Sequence, residues 1–92
     1  MTDQKKLDEL RRTIDDLDAR LLALLNERSR CVADIGALKR ALGRAVYDPG
    51  REAEVVGRAL RANGGPLSGE AVRRLFERIL DESRRLERLG KE

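Results

Sequence analysis

The stretch LLALLNERSRCVADIGALK, residues 21–39, decides the fold. Its leucines recur every three to four residues, the spacing of one helical face. Extended as heptads from Leu7, one line reads Leu7, Ile14, Leu21, Arg28, Ile35 and Leu42. The companion line reads Leu10, Leu17, Leu24, Cys31 and Leu38. Ten of these eleven positions are apolar, and Arg28 is the exception. The pattern predicts one helix over about residues 5–42, with Gly36 costing about 1 kcal/mol of propensity without breaking it. Such a helix is about 57 Å long, whereas a compact chain of this size has a radius of gyration of about 12 Å. The seam therefore needs a partner, and a homodimer of paired long helices is the simplest cover.

Downstream of the seam, the segment from Gly43 to Glu52, which ends in YDPGRE, breaks the pattern. Gly43 suits a helix C-terminus, and Asp48 followed by Pro49 reads as N-cap and first helical position. A second helix is expected over about 49–62, with Val55, Val56, Ala59 and Leu60 on its inner side. NGGPLSG, residues 63–69, is a turn cluster in which Ser68 is a candidate N-cap. A third helix is expected over about 69–89, its apolar stripe made of Val72, Leu75, Phe76, Ile79, Leu80, Leu86 and Leu89 and interrupted by Ser83. The expectation is one all-α domain of three helices spanning residues 1–92.

Composition narrows the chemistry. The chain has 92 residues and a net charge of +3, and 40% of its residues are charged. Arginine supplies sixteen of its twenty basic residues, the side chain suited to recognising planar anions. There is no histidine, so imidazole acid–base work and histidine ligation of metals are excluded. A lone cysteine, Cys31, builds neither a disulfide nor a thiolate zinc site. The three serines have no histidine to complete a triad. No apolar run resembles a signal peptide or a membrane span, so a soluble chain in the cytoplasm is expected. Any catalysis must rest on carboxylates, Lys, Arg and positioning.

Several polar groups stand where the pattern wants apolar ones. Arg28 and Lys39 point within about 20° of each other, about 16 Å apart along the helix. Two long side chains leaning together leave room for a small dianion. Ser83 and Glu87 are helical neighbours beside the third stripe, and the second helix opens with Asp48, Arg51 and Glu52. Each also has a plain reading. Arg28 can snorkel, Asp48 can be only a cap, Ser83 can bond back to a helix carbonyl, and Arg51, Glu52 and Glu87 can be solvated. Arg73, Arg74, Arg84, Arg85 and Arg88 are expected in solvent. Together the anomalies point to a compensating guest, because an unpaired buried guanidinium costs several kcal/mol. A compact ligand with carboxylates and a hydroxyl matches.

These residues carry a resemblance. LRRTIDDLDARLLALLNER, ADIGALK, YDPGRE and RLFERILDESRRLE resemble, in that order, the all-helical (AroQ-class) chorismate mutases over residues 4–90. The resemblance implies an intertwined homodimer with two equivalent sites and no cofactor or metal. It implies an isomerase that converts chorismate to prephenate on the shikimate route to Phe and Tyr. Arg11, Arg28, Lys39, Asp48, Arg51, Glu52, Ser83 and Glu87 would surround the substrate, with Lys39, Glu87 and Arg28 catalytic and Arg11 coming from the second subunit. Arg11 and Arg28 are about 25 Å apart along one helix, too far to share one small molecule within a chain. Where many family members have Gln, this chain has Glu87, which must be protonated to donate to the breaking ether bond. Activity is then expected to fall as pH rises above the mildly acidic range.

Four alternatives stand beside this reading. On the same fold, an isochorismate-pyruvate lyase or a 4-amino-4-deoxychorismate mutase would use a similar cage. A non-catalytic basic dimer binding nucleic acid is disfavoured by interleaved acids and by anomalies that sit on seams. A plain coiled-coil module would leave Arg28, Lys39 and Ser83 without a shared purpose. Docking to another shikimate-pathway enzyme is a further expectation.

Overall fold

The structure is a computed structural model that describes residues 2–89. Three helices make it up: α1 (Asp3–Ala41), α2 (Pro49–Ala62) and α3 (Gly69–Leu89). No strand occurs among the described residues. None of their helices is long and apolar enough to cross a membrane. Contacts divide the chain into two compact units, the first ending at Cys31 and the second beginning at Val32.

The helix ends follow from local chemistry. Thr2 opens α1, its hydroxyl accepting from Lys5 N–H and its carbonyl from Lys6 N–H, both at 3.2 Å. Gly43, at φ +68°, closes α1 in the left-handed region that glycine enters without steric cost. Gly43 N–H reaches the Arg40 carbonyl at 3.2 Å and Arg44 N–H reaches the Lys39 carbonyl at 2.8 Å, the paired bonds of a Schellman turn. Asp48 caps α2, accepting from Arg51 N–H at 3.1 Å, and Pro49 takes the first position, where its missing N–H is no loss. Ser68 caps α3, its hydroxyl oxygen 3.1 Å from Ala71 N. Asn63 ties the turn between α2 and α3, donating to the Leu67 carbonyl at 2.8 Å and accepting from Gly65 N–H at 3.1 Å.

In the second unit the core is small. Val32, Val56, Val72 and Leu80 are its buried apolar side chains, and Val55, Ala59, Leu60, Phe76, Ile79 and Leu86 are half-buried around them. At about 100° per residue, Gly36, Lys39 and Arg40 all fall within about 80° of Val32, so this face of α1 is the one that packs. Cys31, Ile35, Leu38 and Leu42 lie about 60° to 120° away on one side, and all four are exposed. In the first unit the seam residues Leu7, Leu10, Ile14, Leu17, Leu21 and Leu24 are exposed too. Across α1 and Leu42 the seam leucines and isoleucines run from 41% to 69% exposed, far above core values. Two residues read as inner on α3, Leu75 and Leu89, are in fact exposed. Both lie on the flank of the stripe, about 60° and 100° from Val72, whereas Leu80 and Glu87 are turned about 80° and 60° the other way.

Candidate active site

Glu87 is the one charged residue buried among those described, at 8% exposure. It sits within the α3 arc that Val72 and Leu80 bound, about 20° from Leu80, so the helix carries it on the core side. Three neighbours on α1 receive it. Gly36 supplies space: a Cβ there would stand 3.0 Å from Glu87 Cα and 3.3 Å from its Cβ and its carbonyl oxygen. Lys39 supplies charge, its Nζ 3.1 Å from Glu87 Oε2. Arg40 supplies a cap, donating from Nη1 to the Glu87 carbonyl at 2.9 Å, one of the last-turn carbonyls that α3 cannot bond internally.

The ammonium of Lys39 is held from both sides. The Schellman turn at Gly43 reverses the chain after α1, and the Val46 carbonyl accepts from Lys39 Nζ at 2.8 Å. With side-chain exposures of 19% for Lys39 and 10% for Glu87, the pair is poorly screened. Two of the three ammonium donors are engaged, and the third is available to a guest acceptor. This is a doubly anchored, partly desolvated cation, an arrangement able to stabilise negative charge developing beside it.

A second cluster forms where α2 starts. Glu52 receives Arg84 Nη1 on both carboxylate oxygens, at 2.5 and 2.6 Å. Asp81, one turn earlier on α3, accepts from Arg84 Nη2. The Arg84 guanidinium carbon lies 5.7 Å from the centre of the Tyr47 ring, within cation–π range. The hydrogen bond that Arg84 donates to Glu52 chiefly, then the charges of Glu52 and Asp81, hold the Arg84 pKa above its ordinary value, against a lowering by desolvation. These groups and Glu77 and Arg88 line an open cleft of about 560 Å³.

The other candidate residues are placed as follows. Arg11 and Arg28 belong to the first unit, Arg11 exposed and Arg28 half-buried. Asp48 is the α2 cap. Arg51 lends its backbone N–H to that cap, while its guanidinium reaches Glu54 at 3.5 Å in solvent. Ser83 donates to the Ile79 carbonyl at 2.9 Å, the helix back-bond its position allows. Among these residues Lys39 touches Glu87, Asp48 touches Arg51, and Glu52 is taken by Arg84. Arg84 corrects the expectation that its side chain is solvated: Glu52, 32 positions upstream, draws it onto α2. Its i,i+3 partner Asp81 was a local signal, but Glu52 and Tyr47 lie far away in sequence. Arg40 was equally invisible, because a bond to a backbone carbonyl leaves no mark on residue types. Among the described residues no group of three or more metal-binding side chains is assembled.

Comparison with known proteins completes the picture. The model of the chorismate mutase type II family matches residues 10–88. The chain is 42% identical, across 95% of its length, to a bifunctional chorismate mutase/prephenate dehydratase of Pseudomonas aeruginosa, and 44% identical across 89% to one of Neisseria gonorrhoeae. It spans 25% and 23% of those two proteins, about a quarter of each. Among solved structures, a chorismate mutase of Thermus thermophilus (form II) superposes with a TM-score of 0.89 at 38% identity, covering 90% of this chain and 94% of that one.

Proposed function

The chain belongs to the chorismate mutase type II family, and from that premise we propose that it rearranges chorismate to prephenate, an isomerisation on the route to Phe and Tyr. The observation that carries this reading is the Lys39 ammonium, held between the Val46 carbonyl and the buried Glu87. The reaction breaks an ether C–O bond as a C–C bond forms within one molecule. It needs no nucleophile and no net proton transfer, which suits a chain without histidine. Lys39 donates to the ether oxygen as negative charge grows there. Glu87 stands beside it and can donate as well only in its protonated form, since as a carboxylate it accepts from Lys39. Arg28 and Arg11 of the partner subunit clamp the two carboxylates, with Ser83 and Arg51 assisting, so that the substrate is held in its reactive conformer. Asp48 and Glu52 accept the ring hydroxyl.

The exposed seam of α1 supports the second half of the reading, a homodimer in which each site borrows Arg11 from the other subunit. A single exposed cysteine suits a cytoplasmic setting. The fusion of the Pseudomonas and Neisseria relatives to a prephenate dehydratase supports hand-off of the product to a prephenate-consuming enzyme. The test is loss of the chorismate absorbance on adding purified protein, repeated with Arg28→Ala. Prephenate as product and a large loss in the variant are expected. Pyruvate release would instead identify a lyase, and no turnover would sink the reading.

A further inference from the structure

The two acids at the start of α2 pose a question of specificity, since a carboxylate accepts from a hydroxyl or from an ammonium. Glu52 is not a bare carboxylate here. Arg84 Nη1 bridges both of its oxygens at 2.5 and 2.6 Å, Asp81 braces the other end of the guanidinium, and Tyr47 lies against it. A carboxylate offers about four lone-pair directions, and the bridge takes one on each oxygen. The rest still accept a hydrogen bond on the open side of the cleft. Arg84, shared with Asp81, however, already sets a positive charge directly against both Glu52 oxygens. A second cation within hydrogen-bond reach of Glu52 would stand only about 4–5 Å from the guanidinium, where like charges repel by about 1 kcal/mol in water and more where water is excluded. A neutral hydroxyl meets no such repulsion.

We propose that Arg84 positions Glu52 and sets substrate choice at this site, orienting the carboxylate toward a guest with a ring hydroxyl and against one with a ring ammonium. The inference rests on the pericyclic reading above and deepens it. Arg84 acts through Glu52, so it is a positioning residue and needs no contact with the guest.

The test compares kcat/KM for chorismate and for 4-amino-4-deoxychorismate in the wild type, Arg84→Gln, Arg84→Met and Arg84→Lys. Circular dichroism establishes that each variant is folded, and the two neutral variants keep the aliphatic stem by different means. The wild type should prefer the hydroxyl substrate. In the neutral variants that preference should fall about tenfold, the size of a typical coupling between groups in contact, with KM changing more than kcat. Arg84→Lys, which keeps the charge and loses the fork, should retain the preference while KM for chorismate rises. In a Glu52→Gln background Arg84→Gln should add no further change. A folded neutral variant with the wild-type preference, or equal effects with and without Glu52, overturns the proposal and leaves the mutase reading intact. A wild type that turns over neither substrate overturns the mutase reading itself.

Discussion

Lys39 ties the packing of α1 to the proposed chemistry. Its stem lies along the packed face of α1, and its ammonium closes onto the Val46 carbonyl and Glu87. Lys39→Met keeps the stem and removes the charge. It should lower kcat about 100- to 1,000-fold, the usual cost of losing one preorganised donor. Unfolding in urea should show a loss of about 1–3 kcal/mol, because Glu87 is left buried without its partner. Glu87 itself is tested by substitution. If it supplies the second donor, Glu87→Gln, which carries a permanent amide donor, should keep or raise kcat for chorismate, whereas Glu87→Ala should lower it. A Glu87→Ala variant that is folded by circular dichroism and keeps the wild-type kcat would remove Glu87 from the mechanism.

Helix termini and crossings supply the geometry that those side chains require. Gly36 lets α1 and α3 approach until a Cβ would meet Glu87 Cα at 3.0 Å. Gly36→Ala gains up to about 1 kcal/mol of helix propensity but forces backbone atoms apart, which costs about 1–3 kcal/mol. A lower Tm together with a lower kcat is expected, since Glu87 moves with its helix. Gly64→Ala, where nothing lies within 4 Å, should change neither. The caps separate two readings of Asp48. Asp48→Ala and Ser68→Ala should each cost about 1 kcal/mol of stability. Only Asp48→Ala should also raise KM, if that carboxylate meets the substrate. Much at this scale is legible in the sequence, because turns and caps are local: Gly43, Asp48–Pro49 and Ser68 each announce their role by residue type and spacing. The long-range pairs are not legible. Nothing near Glu52 says that Arg84 reaches it, and heptads distinguish the seam of α1 from its flank without saying which one the chain's own helices cover.

For the whole molecule, the seam decides the argument. Leu10, Leu24, Leu38 and Leu42 each stand more than 60% exposed, and so much apolar surface along one helix is costly to leave in water. A second copy of the same seam is a chemically matched cover, and a two-fold pairing of that kind makes each residue meet its counterpart twice. Antiparallel pairing carries a functional consequence that a merely structural dimer lacks. If Arg11 serves the partner's site, Arg11→Ala and Lys39→Ala should each be inactive alone. Unfolded together and refolded as a mixture, they should recover activity. Half of the randomly assembled dimers are mixed, and in each of these one site keeps both residues while the other loses both, so about a quarter of the wild-type sites should return. The assay is chorismate consumption before and after co-refolding, with the dimer measured by sedimentation. A mixed dimer that stays inactive would place Arg11 and Lys39 in the same subunit's site and remove the functional reason for the pairing.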